Sequence, residues 1–556
     1  MCDFETTLEE PTRVWLYSIT DIEKQEVVNV GYTIEEFLAY IKNFRSICYF
    51  HNLRFDGSFI IDWLLKNGYV YQEKVSKVKE FNTLIDVVGT FYSIRVKWSA
   101  KGLTYFYDSF KLLPFKVEEI GKSFGGDYTK GDIDFKEVKE RGYVANDKDI
   151  DYVKRDTLVV AHAIKEVYLN YGQDKMTIGS NALDVYKKQF CPTKFEYVFP
   201  QLDSEVDLFC RASYKGGYVY VNPKYQNEWV GEGIVYDNNS MYPYSMTKEL
   251  PCSKPVYFKG DYDDQPKDVK EFYPMYIQRL RIMCTLKENG LPTIQIKKNL
   301  CYNPTEYQRE INEITELTLT SIDLELLFDN YDIDYLEMLD GYMFVTTSNL
   351  FKRYVETFYE EKRTSTGAKR QRAKLFLNNL YGKMATNPVN LTKVPFLNTD
   401  TNSVDYKTLD GEDKKTIYIP VACFITAWAR YTLITAIKAN IDRFLYCDTD
   451  SIHLLGNYPA SNIEMDNYKL GAWKEENKFT KAIFIKPKTY AEVDGDDVTI
   501  KCCGMPQNIK DEFEKDGRDV NEFKIGFTSD KKLLPKKVDG GVILVPTIFT
   551  IKWLTR

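Results

Sequence analysis

Short apolar runs that end on acids recur along this chain, and they predict strands that deliver carboxylates to turns. Arg443-Phe444-Leu445 and Ile452-His453-Leu454-Leu455 flank Tyr446-Cys447-Asp448-Thr449-Asp450-Ser451, which predicts a tight antiparallel hairpin with two acids at its turn. In extended chain Asp448 and Asp450 project from one face, about 6–7 Å apart. Gly233-Ile234-Val235-Tyr236 predicts a strand that ends on Asp237 and turns through Asn238-Asn239-Ser240 into a helix at Met241-Tyr242-Pro243. In Lys374-Leu375-Phe376-Leu377-Asn378-Asn379-Leu380-Tyr381-Gly382, residues Lys374, Asn378 and Tyr381 share one helical face. Near the start, Asp3 and Glu5 share a face if their segment is a strand. The apolar run Ile47-Cys48-Tyr49-Phe50 leads to Asp56, where a strand hands over to a helix. Tyr152 and Asp156 stand one turn apart on a helix running toward Val167.

Crowded carboxylates repel one another unless a cation lies between them, and hard oxygen ligands suit magnesium. Asp-Thr-Asp alone also fits a solvated acidic turn. A third carboxylate, Asp237, changes that, because two metals held by three acids can clamp the attacking and leaving oxygens of a phosphoryl transfer. The helical stripe offers a cation for phosphate, an amide for polar contact and a ring for base or sugar, although an amphipathic helix carries such stripes incidentally. Upstream, Asp3, Glu5, Asp56 and Asp156 with Tyr152 form a second set able to hold metals and orient water for phosphodiester hydrolysis. Each of those pairs is common by itself.

Composition narrows the setting. A chain of 556 residues is too long for one core, so roughly two to four domains are expected. The 42 tyrosines are numerous enough to supply rings that stack on bases, although most serve the cores. A net charge of −7 argues against a nonspecific nucleic-acid coat and confines any DNA affinity to local basic patches. The densest patch is Lys362, Arg363, Lys369, Arg370, Arg372, Lys374 and Lys383. The 11 cysteines form no Cys-x-x-Cys pair, so neither zinc nor a disulfide framework is indicated and a reducing compartment fits. There is no signal-peptide core and no long apolar span, so a soluble protein without a membrane partner is expected.

Together these stretches resemble the family B DNA polymerases, most closely the protein-primed phage group of the phi-29 type, from Cys2-Asp3-Phe4-Glu5-Thr6 to Gly540-Gly541-Val542. The resemblance implies a multidomain chain of α/β and α+β parts. A ribonuclease H-like 3′–5′ exonuclease domain would span 1–176, beside a right-hand polymerase with two insertions. Palm would fall at 177–248 and 419–502, the first insertion at 249–349, fingers at 350–385, the second insertion at 386–418 and thumb at 503–556. The implied function is template-directed replication of a linear genome from a terminal-protein primer, with strand displacement and proofreading. Two Mg2+ ions per active site are implied, with Mn2+ as a substitute. The implied partners are primer-template DNA, deoxynucleoside triphosphates and the terminal protein. The enzyme would act as a monomer in the cytoplasm, the host's if phage-encoded.

The resemblance also assigns residues. Asp237, Asp448 and Asp450 would be catalytic metal ligands, with the Asn238 carbonyl completing a shell. Tyr242, Lys362, Lys374, Asn378 and Tyr381 would hold the nucleotide. Asp3, Glu5, Asp56 and Asp156 would be the exonuclease acids, Tyr152 would orient water, Lys130 would assist and Asp132 would be an extra metal ligand. Thr6, His51, Asn52, Phe55, Ser109 and Phe110 would grip a single-stranded end. Tyr214, Gly216 and Gly217 would meet DNA between the two sites, and Ser240, Thr426, Arg430, Lys488 and Tyr490 would meet the primer. Lys531-Lys532 and Lys536-Lys537 match a thumb that holds duplex phosphates.

Three positions depart from the group. Phe110 stands where leucine is usual and Phe135 where tyrosine is often found. Asp3 lies so near the start that an edge strand there is expected to fray and weaken degradation. Two other readings compete: a nuclease whose second half only grips DNA, and a non-catalytic replication scaffold.

Overall fold

The computed structural model describes residues 1–124, 143–296, 307–389, 391–411, 414–505 and 509–552; Lys130, Asp132 and Phe135 lie outside them. The amino-terminal unit is built on an eight-stranded sheet in the order Glu26–Gly31, Val14–Asp21, Cys2–Thr6, Arg45–Phe50, Leu103–Asp108, Phe91–Lys97, Glu80–Ile85, Val70–Tyr71. Cys2–Thr6 is therefore an interior strand, antiparallel to Val14–Asp21 and parallel to Arg45–Phe50. Met1 is only 5% exposed, and its ammonium donates to the Thr20 carbonyl at 2.7 Å. The expectation of a fraying edge is thus corrected: the strand carrying Asp3 and Glu5 is paired on both sides.

Edge-to-face rings of Phe4, Phe37 and Phe50 fill one side of the sheet. On the other side lies the helix Asp147–Val167, started by a capping box between Asn146 and Asp149. Its Thr157 meets the hydroxyls of Ser18 and Thr20 at 3.1 and 2.8 Å, which fixes Tyr152 and Asp156 near the strand Cys2–Thr6.

The second unit centres on a five-stranded antiparallel sheet in the order Trp473–Phe479, Gly233–Asn238, Ser451–Leu455, Phe444–Asp448, Val219–Val221. Beneath it runs the helix Ile419–Lys438, apolar on every side because it is a core helix, with its run from Ile419 to Ala427 buried throughout. A buried His453–Glu492 contact of 2.6 Å ties this sheet to a smaller one formed by Trp229–Val230, Lys481–Lys486, Thr489–Asp494 and Asp497–Cys502.

In the stretch 249–349, which carried no readable motif, the described residues include a four-stranded antiparallel sheet and the helix Ser321–Asn330. The basic stretch that follows is an antiparallel pair of helices, Lys352–Thr364 and Gly367–Met384. Arg372 there is a packing residue, pairing with Glu361 at 3.1 Å and lying 3.9 Å over the Tyr171 ring. The hairpin Leu391–Asn398/Ser403–Asp410 and the terminal hairpin Thr528–Val538/Gly541–Thr550 meet the amino-terminal unit. Asp539 joins Lys66 at 2.5 Å and Asn402 at 2.9 Å. A Cβ on Gly540 would stand 2.0 Å from the Thr12 carbonyl oxygen, so only glycine permits this approach. Lys536, Lys537 and Lys531 form surface ion pairs with Glu10, Asp405 and Asp516.

Candidate active site

The strand register leaves Thr449 and Asp450 as a two-residue turn, with Asp448 facing Ser451 across the hairpin. Thr449 takes a left-handed φ of 63°, uncommon for a β-branched residue. It is held there by its N–H to the Tyr218 carbonyl (2.9 Å) and its hydroxyl to Asp448 (3.1 Å). The neighbouring strand sets Asp237 opposite Ser451, and the Asn238 N–H donates to the Asp450 carbonyl at 2.8 Å. Three acids from separate chain segments so reach one end of one sheet. Burial, then the charges of Asp237 and Asp448, push the Asp450 carboxyl up to about 7. Below that pH the group is protonated and a poor ligand; above it, anionic. Mn2+ binding at this end is therefore expected to tighten between about pH 6 and about pH 8. Equal affinity at both, in a direct titration, would sink the assignment.

Over the acids, the Tyr242 and Tyr381 rings stack with centroids 4.5 Å apart and planes 14° from parallel. Lys374 and Asn378 stand exposed on the helix that carries Tyr381. Lys362 donates to the Ser240 hydroxyl at 3.0 Å. Its ammonium is held below the usual range by burial, then by Lys374, Lys474 and Arg370. A Cβ on Gly217 would meet the Tyr242 hydroxyl at 2.8 Å and Thr449 at 3.0 Å, so the Tyr214–Gly217 segment closes against both ring and turn.

The second acid set joins three elements. Asp3 and Glu5 come from the strand Cys2–Thr6, Asp56 from the first turn of the helix Leu53–Lys66, and Tyr152 and Asp156 from the helix Asp147–Val167. Burial pushes the Asp3 carboxyl well up, and the charges of Asp56, Glu5 and Asp156 add to it. Asp56 is 3% exposed, and its Oδ1 lacks a hydrogen-bond partner among the described residues. A buried carboxylate oxygen left so is costly, and a cation would satisfy it. Among the described residues, no three acid, histidine or cysteine groups are already drawn into a closed metal cage. The oxygen-only donors of both sets nevertheless suit Mg2+.

Residues 39–148 and 137–467 match the family described as DNA polymerase type B, organellar and viral. The DNA polymerase of Bacillus phage M2 is 40% identical, over 99% of both chains. That of Bacillus phage phi29 is 39% identical, over 99% of this chain and 98% of the relative. The chain belongs to the type B DNA polymerases. Within them it groups with the phi29-type phage enzymes. The crystal structure of Phi29 DNA polymerase in an orthorhombic form superposes with a TM-score of 0.92 at 38% identity, covering 99% of each chain. The Phi29 polymerase complexed with primer-template DNA and incoming nucleotides superposes at 0.90, again with 38% identity and 99% coverage.

Several residues expected to touch DNA in this polymerase are engaged with other parts of the protein. Arg430 is 3% exposed and grips Asp323 with Nε and a terminal nitrogen, at 3.0 and 2.8 Å. Its other terminal nitrogen donates to the Lys215 and Gly216 carbonyls at 2.9 and 2.8 Å. It therefore shapes the Gly216-Gly217 turn from behind. Thr426 is buried and bonds back to the Ala422 and Cys423 carbonyls. His51 spends both ring nitrogens on Ser109 and the Phe115 carbonyl, and Ser109 is itself fully buried against Phe50. Tyr490 is half-buried and packs on Tyr446 and His453, whereas Lys488 is exposed and pairs with Asp448 at 2.6 Å, beside the polymerase acids. Gly216, Asn52 and Phe110 do keep exposed surface, whereas Thr6, Phe55 and Tyr214 are half-buried. Asn52 and Phe55 line a cavity of about 400 Å3 shared with Arg54, Lys393, Tyr406 and Lys537.

Sequence reasoning missed four residues here. Asp108 accepts the N–H groups of Asn52, Leu53 and Phe110, fixing the turn that launches the Asp56 helix. Asp323, Lys474 and Glu476 reach the polymerase end from strands and helices with no local motif. Lys474 pairs with Asp237 at 2.9 Å, and the Glu476 carboxyl is pushed up by burial and by Asp237.

Proposed function

We propose that this DNA polymerase adds nucleotides at the Asp237–Asp448–Asp450 end and removes 3′ nucleotides at the Asp3–Glu5–Asp56–Asp156 set. The observation that carries the reading is the convergence of three strand-end acids beneath the stacked Tyr242–Tyr381 pair and the Lys362 ammonium. Asp237 and Asp450 would hold two Mg2+ ions, supported by Asp448 and the Asn238 carbonyl. Bound there, the ions supply the charge that stabilises attacking and leaving oxygens. The protein's own groups do the rest. Lys362 and Lys374 draw the triphosphate, the Tyr381 ring backs the base, and the Tyr242 ring lies under the sugar. The grouping with phi29-type enzymes supports, as part of the same reading, priming from a terminal-protein hydroxyl with strand displacement. The separate sheet at 249–349 is the candidate surface for that protein. Single-nucleotide incorporation opposite each template base tests the template-directed part: only the complementary nucleotide should add at speed, and equal addition of all four would contradict it.

The Tyr242 ring also predicts sugar selection. Tyr242→Val is expected to raise ribonucleotide use relative to deoxyribonucleotide by about tenfold or more, since a pocket wall that excludes one small group is worth that much. Competing the two nucleotides on one primer-template measures it. Unchanged discrimination would move the gate to Tyr381.

A further inference from the structure

Positive charge around the nucleotide pocket is arranged unevenly. Among the described residues, Lys362, Lys374 and Arg370 form no ion pair with a carboxylate, and Lys362 bonds only to the neutral Ser240 hydroxyl. Such unpaired cations await a polyanion. Lys474 belongs to the same group, since it lies close enough to Lys362 for their charges to repel. Yet it alone of the four is tied to an acid, Asp237, at 2.9 Å. Its place is fixed by the sheet, because Trp473–Phe479 pairs with Gly233–Asn238 and sets Lys474 directly beside Asp237. Its side chain is 34% exposed, so the ion pair stands at the edge of solvent and not in the core.

We infer that Lys474 is a substrate-binding residue that leaves Asp237 for the β- and γ-phosphates of the incoming nucleotide when a divalent cation takes the carboxylate. Until then its ammonium neutralises an acid that would otherwise face Asp450 and Glu476 unpaired, and it competes with the metal for that acid. Cation and triphosphate therefore gain together: the metal frees the ammonium, and the phosphates stabilise it in its new position. The inference rests on the proposed polymerase reading of this site.

The test uses the full-length protein in an Asp3→Ala/Asp56→Ala background, so that only the downstream acids report. Mn2+ alone, without DNA or nucleotide, is titrated by electron paramagnetic resonance, and nucleotide KM is measured separately. Lys474→Met, which keeps the stem and removes the charge, should bind Mn2+ about two- to fivefold more tightly, the worth of a partly exposed ion pair. The same change should raise nucleotide KM about tenfold, the loss of one charge-assisted hydrogen bond. Lys474→Arg should keep KM near the parent value. Unchanged Mn2+ affinity or unchanged KM in Lys474→Met overturns the inference. A parent that neither binds Mn2+ nor extends a primer overturns the underlying reading, and the inference with it.

Discussion

Replacing Asp450 with alanine is expected to cut primer extension by about 100- to 1,000-fold or more, the usual cost of losing a group that meets charge in the transition state. Single-strand degradation should stay within about twofold of the parent, as expected for sites that share no partners. Asp450 lies at the hairpin turn of the downstream sheet, and the acids whose charges act on it, Asp237, Asp448 and Glu476, all belong to that sheet's end. Misfolding does not supply the same result. A carboxyl pushed up to about 7 opposes folding once ionised, so at neutral pH and above its removal should leave thermal stability equal or higher. Extension at near the parent rate in Mg2+ would show that the metal acids have been misassigned.

Asp56→Ala should give the reciprocal outcome, with degradation reduced by about 100-fold or more and extension spared. Asp56 is buried in the first turn of the helix Leu53–Lys66, and its carboxyl is also pushed well up, by burial first. Its orphaned oxygen has work to do only if a cation or its bound water is present. Asp156→Ala should behave alike, since Asp156 adds its charge to the same cluster around Asp3. A folded Asp56→Ala protein that has lost both activities would mean that the two acid sets act as one centre.

What was legible in the sequence was local. The hairpin at Asp448–Ser451, the strand delivering Asp237 and the stripe Lys374–Asn378–Tyr381 each depend on spacing within a few residues, and the structure contains all three. What stayed hidden depends on contacts between distant segments. The resemblance assigns Arg430 to the primer, but Asp323, 107 residues away in sequence, and the Lys215 and Gly216 carbonyls take up its donors. His51 and Ser109 sit among exposed DNA-facing candidates in sequence, yet they bond to each other across adjacent strands. Lys474 follows a tryptophan in an unremarkable strand, and only sheet order sets it beside Asp237. The early position of Asp3 suggested a loose edge, whereas the sheet order makes that strand interior.

One assay tests the central claim, that a single chain holds a nucleotide-adding centre and a separate nucleotide-removing centre. The parent protein is mixed with an end-labelled primer annealed to a longer template in Mg2+, with and without the four deoxynucleoside triphosphates. The account predicts lengthening to the template end when nucleotides are present, shortening from the 3′ end when they are absent, and neither in a chelator. Shortening under both conditions would leave only a nuclease, and an unchanged primer under both would leave a protein that binds DNA without acting on it.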